Sequence, residues 1–380
     1  MAIYVTKPDM PPLDLFTEKL KVIWDSGQIT NAGPVHQELE ERLSSYLGVP
    51  YISLFSNATL ALIVALKALD LKGEVITTPY TFVATPNALL WAGLEPVFVD
   101  IDPNTFNLDP TQVQRAITER TSGILPVHVY GTPCDDNQIK QVAQTHGLKV
   151  LYDAAHAFGV RRHGRSILLD GDLSVVSFHA TKVFNTAEGG AVICQTRDLK
   201  QRVDRLKNFG YISECHVEEA GINAKMSEIS AALGLLQLDR VEQCIAARSL
   251  ISQCYHKHLR VSDRMSIHEP LGDFSRNHSY FPILVGGPNG ALRDSLYEFL
   301  KAQGIFARRY FYPLVTEFGP YRYLAERLST PVADSISKRV LCLPIYPSLA
   351  ENEARKISEL VNQFIAGEIK GFVNTRSKSL

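Results

Sequence analysis

No stretch of this chain approaches the roughly 18 consecutive apolar residues of a transmembrane helix. The first residues, Met1-Ala2-Ile3-Tyr4-Val5-Thr6-Lys7, carry no apolar core of a signal peptide. A cytoplasmic protein without a membrane partner is therefore expected. Charge of one sign is missing too. The 39 Lys and Arg stand against 40 Asp and Glu, a formal net charge of -1. Neither nucleic acid nor an anionic membrane is favoured as a partner. The six cysteines (Cys134, Cys194, Cys215, Cys244, Cys254, Cys342) form no C-x-x-C pair. They show no paired framework either, so free cytosolic thiols and no metal site are expected. No internal repeat and no low-complexity tract is present.

What is present is length and rhythm. The 380 residues, 45% hydrophobic and 21% charged, can bury a large core and imply two domains. Helices are expected at 14–26, 34–47, 59–69, 86–91, 109–116 and 136–146. Strands are expected at 51–55, 74–77, 96–99, 123–127, 149–152, 173–178 and 191–194. This βαβ alternation predicts a mostly parallel sheet covered on both faces. A long helical region, 225–256, would bridge the domains, with Ile229, Ala232 and Leu236 as its packed stripe. Strands at 279–285, 305–309 and 340–343 and helices at 290–303 and 351–364 form a smaller α+β domain. The expected division is 1–250, 251–366 and a flexible tail, 367–380.

Lys182 is the residue most pointed toward chemistry. It lies in Ser177-Phe178-His179-Ala180-Thr181-Lys182, after an apolar strand and before Gly189-Gly190. A lysine at the mouth of a sheet can lose proton affinity through burial and become a nucleophilic amine. Such amines form Schiff bases, above all with pyridoxal phosphate, PLP. Asp153 ends the strand 149–152 and opens Asp153-Ala154-Ala155-His156-Ala157. A carboxylate there faces the ligand crevice of an open α/β sheet and could hold a pyridine nitrogen. It could equally be a helix N-cap. A helical Asp153–His156 spacing would put both residues on one face. Ser56-Asn57-Ala58-Thr59 joins strand 51–55 to a helix start, a natural anion site. Ser177 adds a hydroxyl on the same side.

These segments appear in order with Thr78-Pro79-Tyr80-Thr81-Phe82-Val83-Ala84-Thr85 and Gly221-Ile222-Asn223-Ala224-Lys225-Met226. Together they resemble the DegT/DnrJ/EryC1/StrS family of nucleotide-sugar aminotransferases over residues 10 to 365. The resemblance implies the aspartate-aminotransferase-like fold type I, with a large mostly parallel sheet domain and a small C-terminal α+β domain. It implies that Lys182 carries PLP and that Asp153 pairs with its pyridine nitrogen. His156 would lie near the PLP 3-hydroxyl and Phe82 would stack on the ring. Asn57, Ala58, Thr59 and Ser177 would surround the phosphate, with Asn223 reaching it from the neighbouring subunit of a homodimer. His179 and Tyr310 are substrate-side candidates.

One departure stands out. Many members have Pro-Leu-His in the C-terminal domain, where this chain reads Pro313-Leu314-Val315. Members that dehydrate rather than transaminate replace the lysine by histidine, and Lys182 argues against that branch. The resemblance implies transfer of an amino group from L-glutamate to a dTDP- or UDP-linked ketosugar. The favoured substrate is a dTDP-4-keto-6-deoxyhexose, and the product, a 4-amino-4,6-dideoxysugar, would feed polysaccharide or O-antigen synthesis. Amination at C-3, a PLP-dependent dehydration and a non-catalytic PLP-binding regulator are the alternatives.

Overall fold

The computed structural model describes residues 2–287, 289–324 and 329–368. In chain order its main elements are α1 (Leu13–Ser26), α2 (Pro34–Leu47), β1 (Tyr51–Phe55), α3 (Ala58–Ala68), β2 (Glu74–Thr77), α4 (Ala84–Trp91) and β3 (Glu95–Phe98). Then come α5 (Pro110–Ala116), β4 (Thr121–Ile124), α6 (Asp136–His146), β5 (Lys149–Asp153), β6 (Leu173–Ser177), β7 (Gly190–Cys194) and α7 (Arg197–Leu206). The rest is α8 (Glu228–Leu238), α9 (Val241–His258), β8 (Met265–Ile267), β9 (Phe281–Val285), α10 (Ala291–Ala302), α11 (Pro331–Arg339), β10 (Val340–Leu343) and α12 (Glu351–Ala366).

The seven-stranded sheet has the order β1-β7-β6-β5-β4-β2-β3. Every pairing is parallel except those of β7, which runs antiparallel to both neighbours. β6 and β7 are buried along their whole length; β7 accordingly reads as a continuous apolar run, while β6 keeps two buried serines, Ser174 and Ser177. The 12-residue link between them contains no helix, and an antiparallel return needs none. In consequence the first residue of β7, Gly190, pairs with the last residues of β1 and β6, Phe55 and Ser177. The carboxyl ends of the parallel strands and the start of β7 share one edge.

A second core lies C-terminal. Ile251, Tyr255, Ile283, Leu296, Leu300, Leu341, Ile357 and Val361 belong to it, around the antiparallel order β8-β9-β10. The two regions are tied by the N-terminal strand Ile3–Tyr4, which pairs with Ile305–Phe306. Asp100, buried after β3, accepts N–H bonds from Val332 and Ala333 at 2.9 and 2.8 Å and so caps α11. Buried Glu228 does the same for α2, taking the N–H groups of Val35 and His36 at 2.9 and 3.1 Å. A carboxylate at a helix N-terminus is favoured by the dipole and by the orphan donors there.

Several expectations need correction. The helical region 225–256 starts only at Glu228 and breaks at Asp239–Arg240 into α8 and α9. The break has a tertiary cause. Asp9 draws in Gln237 Nε2 through its carbonyl at 2.6 Å and Arg240 Nε through its carboxylate at 3.2 Å. Ile229 is exposed rather than packed, and the buried side of α8 is Ala231, Ala232, Leu235 and Leu238. The strand expected at 305–309 is two residues long, Ile305–Phe306. Most of the expected tail, from 369 onward, lies outside the described residues. No helix among those described is long and apolar enough to cross a membrane.

Candidate active site

At the shared edge of the sheet a cavity of about 230 Å³ opens. It is lined by Asn57, Ala58, Thr59, Phe82, Asp153, His156, Ser177, His179, Lys182 and Tyr310. Thus residues from five separate segments meet in one space. Asn223 does not line it. It is exposed and forms an antiparallel bridge with Asn208.

β5 delivers Asp153. The residues after it form turns and no helix, so the N-cap reading fails, and so does the helical spacing expected for Asp153 and His156. Both still face the cavity because the chain folds back on itself, the N–H of Ala157 reaching the carbonyl of Ala154 at 2.8 Å. Asp153 is 5% exposed. Its Oδ2 accepts from the Thr85 hydroxyl at 2.7 Å and its Oδ1 from the N–H of Ala155 at 3.1 Å. Burial pushes its carboxyl above the usual range, while Thr85, Ala155 and the Lys182 charge pull it back.

Lys182 sits on the turn after β6, its N–H donating to the carbonyl of His179 at 2.9 Å. The side chain as a whole is only partly buried, but its ammonium is enclosed under the Tyr280 ring, 5.9 Å from the centroid. Burial lowers its pKa to about 8, against a small opposing pull from Asp153. No carboxylate among the described residues forms an ion pair with it. The N-terminal segment closes over this turn, Thr6 Oγ1 donating to the carbonyl of Thr181 at 3.3 Å.

His156 is buried and its Nδ1 accepts the N–H of Tyr130 at 3.2 Å. Burial, then the Lys182 charge, depress its proton affinity well below the ordinary value. The imidazole is therefore neutral, with its one proton on Nε2. Its ring lies near-parallel to those of Tyr130 and Phe311, at 6.4 and 6.0 Å between centroids. Phe82 is 57% exposed at the rim. His179 is also exposed, held by Thr181 Oγ1 at 2.8 Å and near Glu188 at 3.7 Å. Burial raises the Tyr310 phenol to about 12.

Another part of the cavity wall is the start of α3. Asn57 caps it, its Oδ1 accepting from the N–H of Leu60 at 2.9 Å. The N–H groups of Ala58 and Thr59 have no helical acceptor, and both residues line the cavity together with Ser177. Gly190 packs beneath. A Cβ there would stand 2.7 Å from the Ala58 nitrogen and 2.8 Å from its Cα, so only glycine lets β7 approach this close. An enclosed amine, a buried carboxylate and a helix N-terminus around one cavity fit the three functional ends of PLP.

The DegT/DnrJ/EryC1/StrS aminotransferase family profile matches residues 14–362. The chain belongs to this family. It is a PLP-dependent sugar aminotransferase of fold type I. It is 51% identical to a dTDP-4-amino-4,6-dideoxy-D-glucose transaminase of Shigella dysenteriae, covering 92% of this chain and 95% of that protein. A transaminase of the same name from Escherichia coli is 48% identical over 94% of this chain and 98% of its own length. Among solved structures, DesI in the presence of its TDP-sugar product superposes with a TM-score of 0.91 at 37% identity, covering 96% and 94% of the two chains.

Other lining residues escaped the sequence reading. Tyr280 was part of an ordinary strand, yet it precedes β9 and faces the cavity beside Phe311. Thr85 carries no sequence signal of its own within Thr78-Pro79-Tyr80-Thr81-Phe82-Val83-Ala84-Thr85. Val315, at the family's histidine position, is 1% exposed and packs with Phe98, Tyr321 and Leu324. Its N–H donates to the carbonyl of Pro79 at 3.2 Å, and it is absent from the cavity lining.

Proposed function

We propose that this chain transfers the amino group of L-glutamate to a dTDP-linked 4-keto-6-deoxyhexose, yielding the 4-amino-4,6-dideoxysugar. The relatives named as dTDP-4-amino-4,6-dideoxy-D-glucose transaminases support the substrate. The observation that carries the chemistry is the enclosed Lys182 amine, with its lowered pKa, in one cavity with buried Asp153.

When bound, PLP supplies an electrophilic carbon for amines and an electron-withdrawing ring. Asp153 keeps the pyridine nitrogen protonated and so sustains that withdrawal. Lys182 holds the cofactor in the resting enzyme. As a free amine it would serve as the general acid/base of the transfer, and a pKa near 8 suits a group that must both accept and return a proton. Neutral His156 would offer its Nε2–H to the 3-oxygen, and Phe82, at the rim of the cavity, would cover the ring. Asn57 shapes the turn from which Ala58 and Thr59 donate to the phosphate, joined by Ser177. Asn223, exposed and outside this chain's own cavity, would complete that site from the partner subunit of a homodimer. His179 and Tyr310 stand toward the sugar. The protein works in the cytoplasm, and its product is destined for polysaccharide such as O-antigen.

The test is turnover with glutamate and paired 4-keto and 3-keto dTDP-sugars, the product read by NMR. Amination at C-4 with release of 2-oxoglutarate is expected. Exclusive amination at C-3, or loss of water without amine transfer, would overturn this reading.

A further inference from the structure

Asp153 is held by a second layer that begins at α4. Thr85, fully buried in the first turn of that helix, places its Oγ1 2.7 Å from Asp153 Oδ2 and 2.8 Å from the Oγ1 of Thr81. Thr81 is itself only 3% exposed. An ionised carboxylate accepts only, and a hydroxyl has one proton to give. The direction of the chain follows: Thr81 donates to Thr85, and Thr85 donates to Asp153.

A bland reading exists for a buried helical threonine. It usually returns its proton to a carbonyl one turn back, and its volume could be filled by valine. Thr85 does neither. Its proton goes to a carboxylate contributed by β5, 68 residues away. The other carboxylate oxygen has a fixed backbone donor, Ala155. Both oxygens are thereby aimed, while lone pairs remain for a cationic N–H from the cavity. Burial works against the charge of Asp153, and few groups oppose it: Thr85, Ala155 and the distant Lys182. A protonated Asp153 would no longer favour a protonated pyridine.

We propose that Thr85, backed by Thr81, is a positioning residue that keeps Asp153 ionised and aimed at the cofactor, and so sets the affinity for PLP and the acid limb of the pH profile. This rests on the reading of Asp153 as the partner of the pyridine nitrogen.

The test uses the full-length enzyme with Thr85→Val, Thr85→Ser, Thr81→Val and Asp153→Asn. PLP affinity is measured by fluorescence titration and kcat/KM is followed against pH. A lost hydrogen bond to a charged group should weaken PLP by about 10- to 100-fold in Thr85→Val and move the acid limb up by about one pH unit or more. Thr85→Ser, which keeps the hydroxyl, should stay within about threefold of wild type, and Thr81→Val should fall between. On an Asp153→Asn background, Thr85→Val should change PLP affinity less than about twofold, because the charge that Thr85 supports is gone.

A folded Thr85→Val with wild-type affinity and acid limb overturns the proposal. So does a Thr85→Ser as damaged as Thr85→Val, which would mark a packing role. Should Thr85→Val not fold, Thr85→Cys, of similar size and a far weaker donor, carries the same comparison. Asp153→Asn that binds PLP like wild type defeats the reading of Asp153 and the proposal with it. A crippled Asp153→Asn beside an unaffected Thr85→Val defeats the proposal alone.

Discussion

Lys182 should be the most reactive lysine of the cofactor-free protein near neutral pH. Burial lowers its pKa from 10.5 to about 8. At pH 8 about half of its amines are neutral, against roughly 0.3% for a lysine at the ordinary value, an advantage of about 150-fold. The sign matters. Below its pKa the group is an ammonium and inert, so its reactivity rises with pH through a midpoint near 8 and then levels. Surface lysines should still be rising beyond pH 10. The assay is trace acylation of the cofactor-free protein at a series of pH values, with the Lys182 peptide quantified by mass spectrometry. Enclosure slows the reagent equally at every pH, so the midpoint is the readout and the absolute rate is not.

Asp153 supplies an internal control. Its charge favours the ammonium of Lys182, so Asp153→Asn should move the midpoint below that of the wild type. A wild-type midpoint at or above about 10 would refute the argument that burial dominates. A midpoint that rises in Asp153→Asn would refute the assigned sign.

Lys182→Ala should abolish transamination while circular dichroism stays native; because positioned acid–base catalysis is worth about 10²–10⁴-fold, retention of more than about 1% of kcat would remove Lys182 from the mechanism. Gly190→Ala should weaken PLP by about 10-fold or more through displacement of the α3 N-terminus, since a charge-assisted N–H bond is what is lost; equilibrium dialysis against PLP checks this, and unchanged affinity would show that the close approach of β7 is dispensable. Mixing Lys182→Ala with an impaired Asn223→Ala should create mixed dimers with one intact site and about half of wild-type activity each. No recovery despite subunit exchange demonstrated by mass spectrometry would take Asn223 out of the partner's site.

Much of this site could be read from the chain because it is built at strand ends. Each apolar run stops at a polar residue with chemistry: Phe55 before Ser56-Asn57, Tyr152 before Asp153, Val176 before Ser177. Runs and stops are local signals. What stayed hidden depends on which strands are neighbours. Thr85 is an unremarked threonine until β2 and β5 are placed on either side of β4, which brings α4 over Asp153. Tyr280 and Phe311 reach the cavity from the C-terminal region, and no periodicity separates a strand residue facing the core from one facing a ligand. The break between α8 and α9 carries no Pro or Gly, so only the contacts of Asp9 reveal it. The antiparallel course of β7 did have a signal, the short helix-free link of residues 178–189, which a reading by βαβ alternation passes over.

That antiparallel strand also explains why the site is compact. Parallel strands present only their carboxyl ends at the crevice, and each is followed by its own connection. β7 enters the same edge amino end first, so its first residue fits between the ends of β1 and β6 without a loop of its own. Gly190 thus touches the start of α3 through the nitrogen of Ala58 while pairing with Ser177 on the other side. The turn bearing Lys182 is the link between β6 and β7, so its two ends are pinned at Ser177 and Gly190. The backbone of the Lys182 turn and the start of α3 are therefore held in place by the same few strand-end pairings and close contacts. A distance set that way is independent of side-chain rotamers in the surrounding core, and substitutions there should alter stability well before they alter the spacing between Lys182 and the α3 N-terminus.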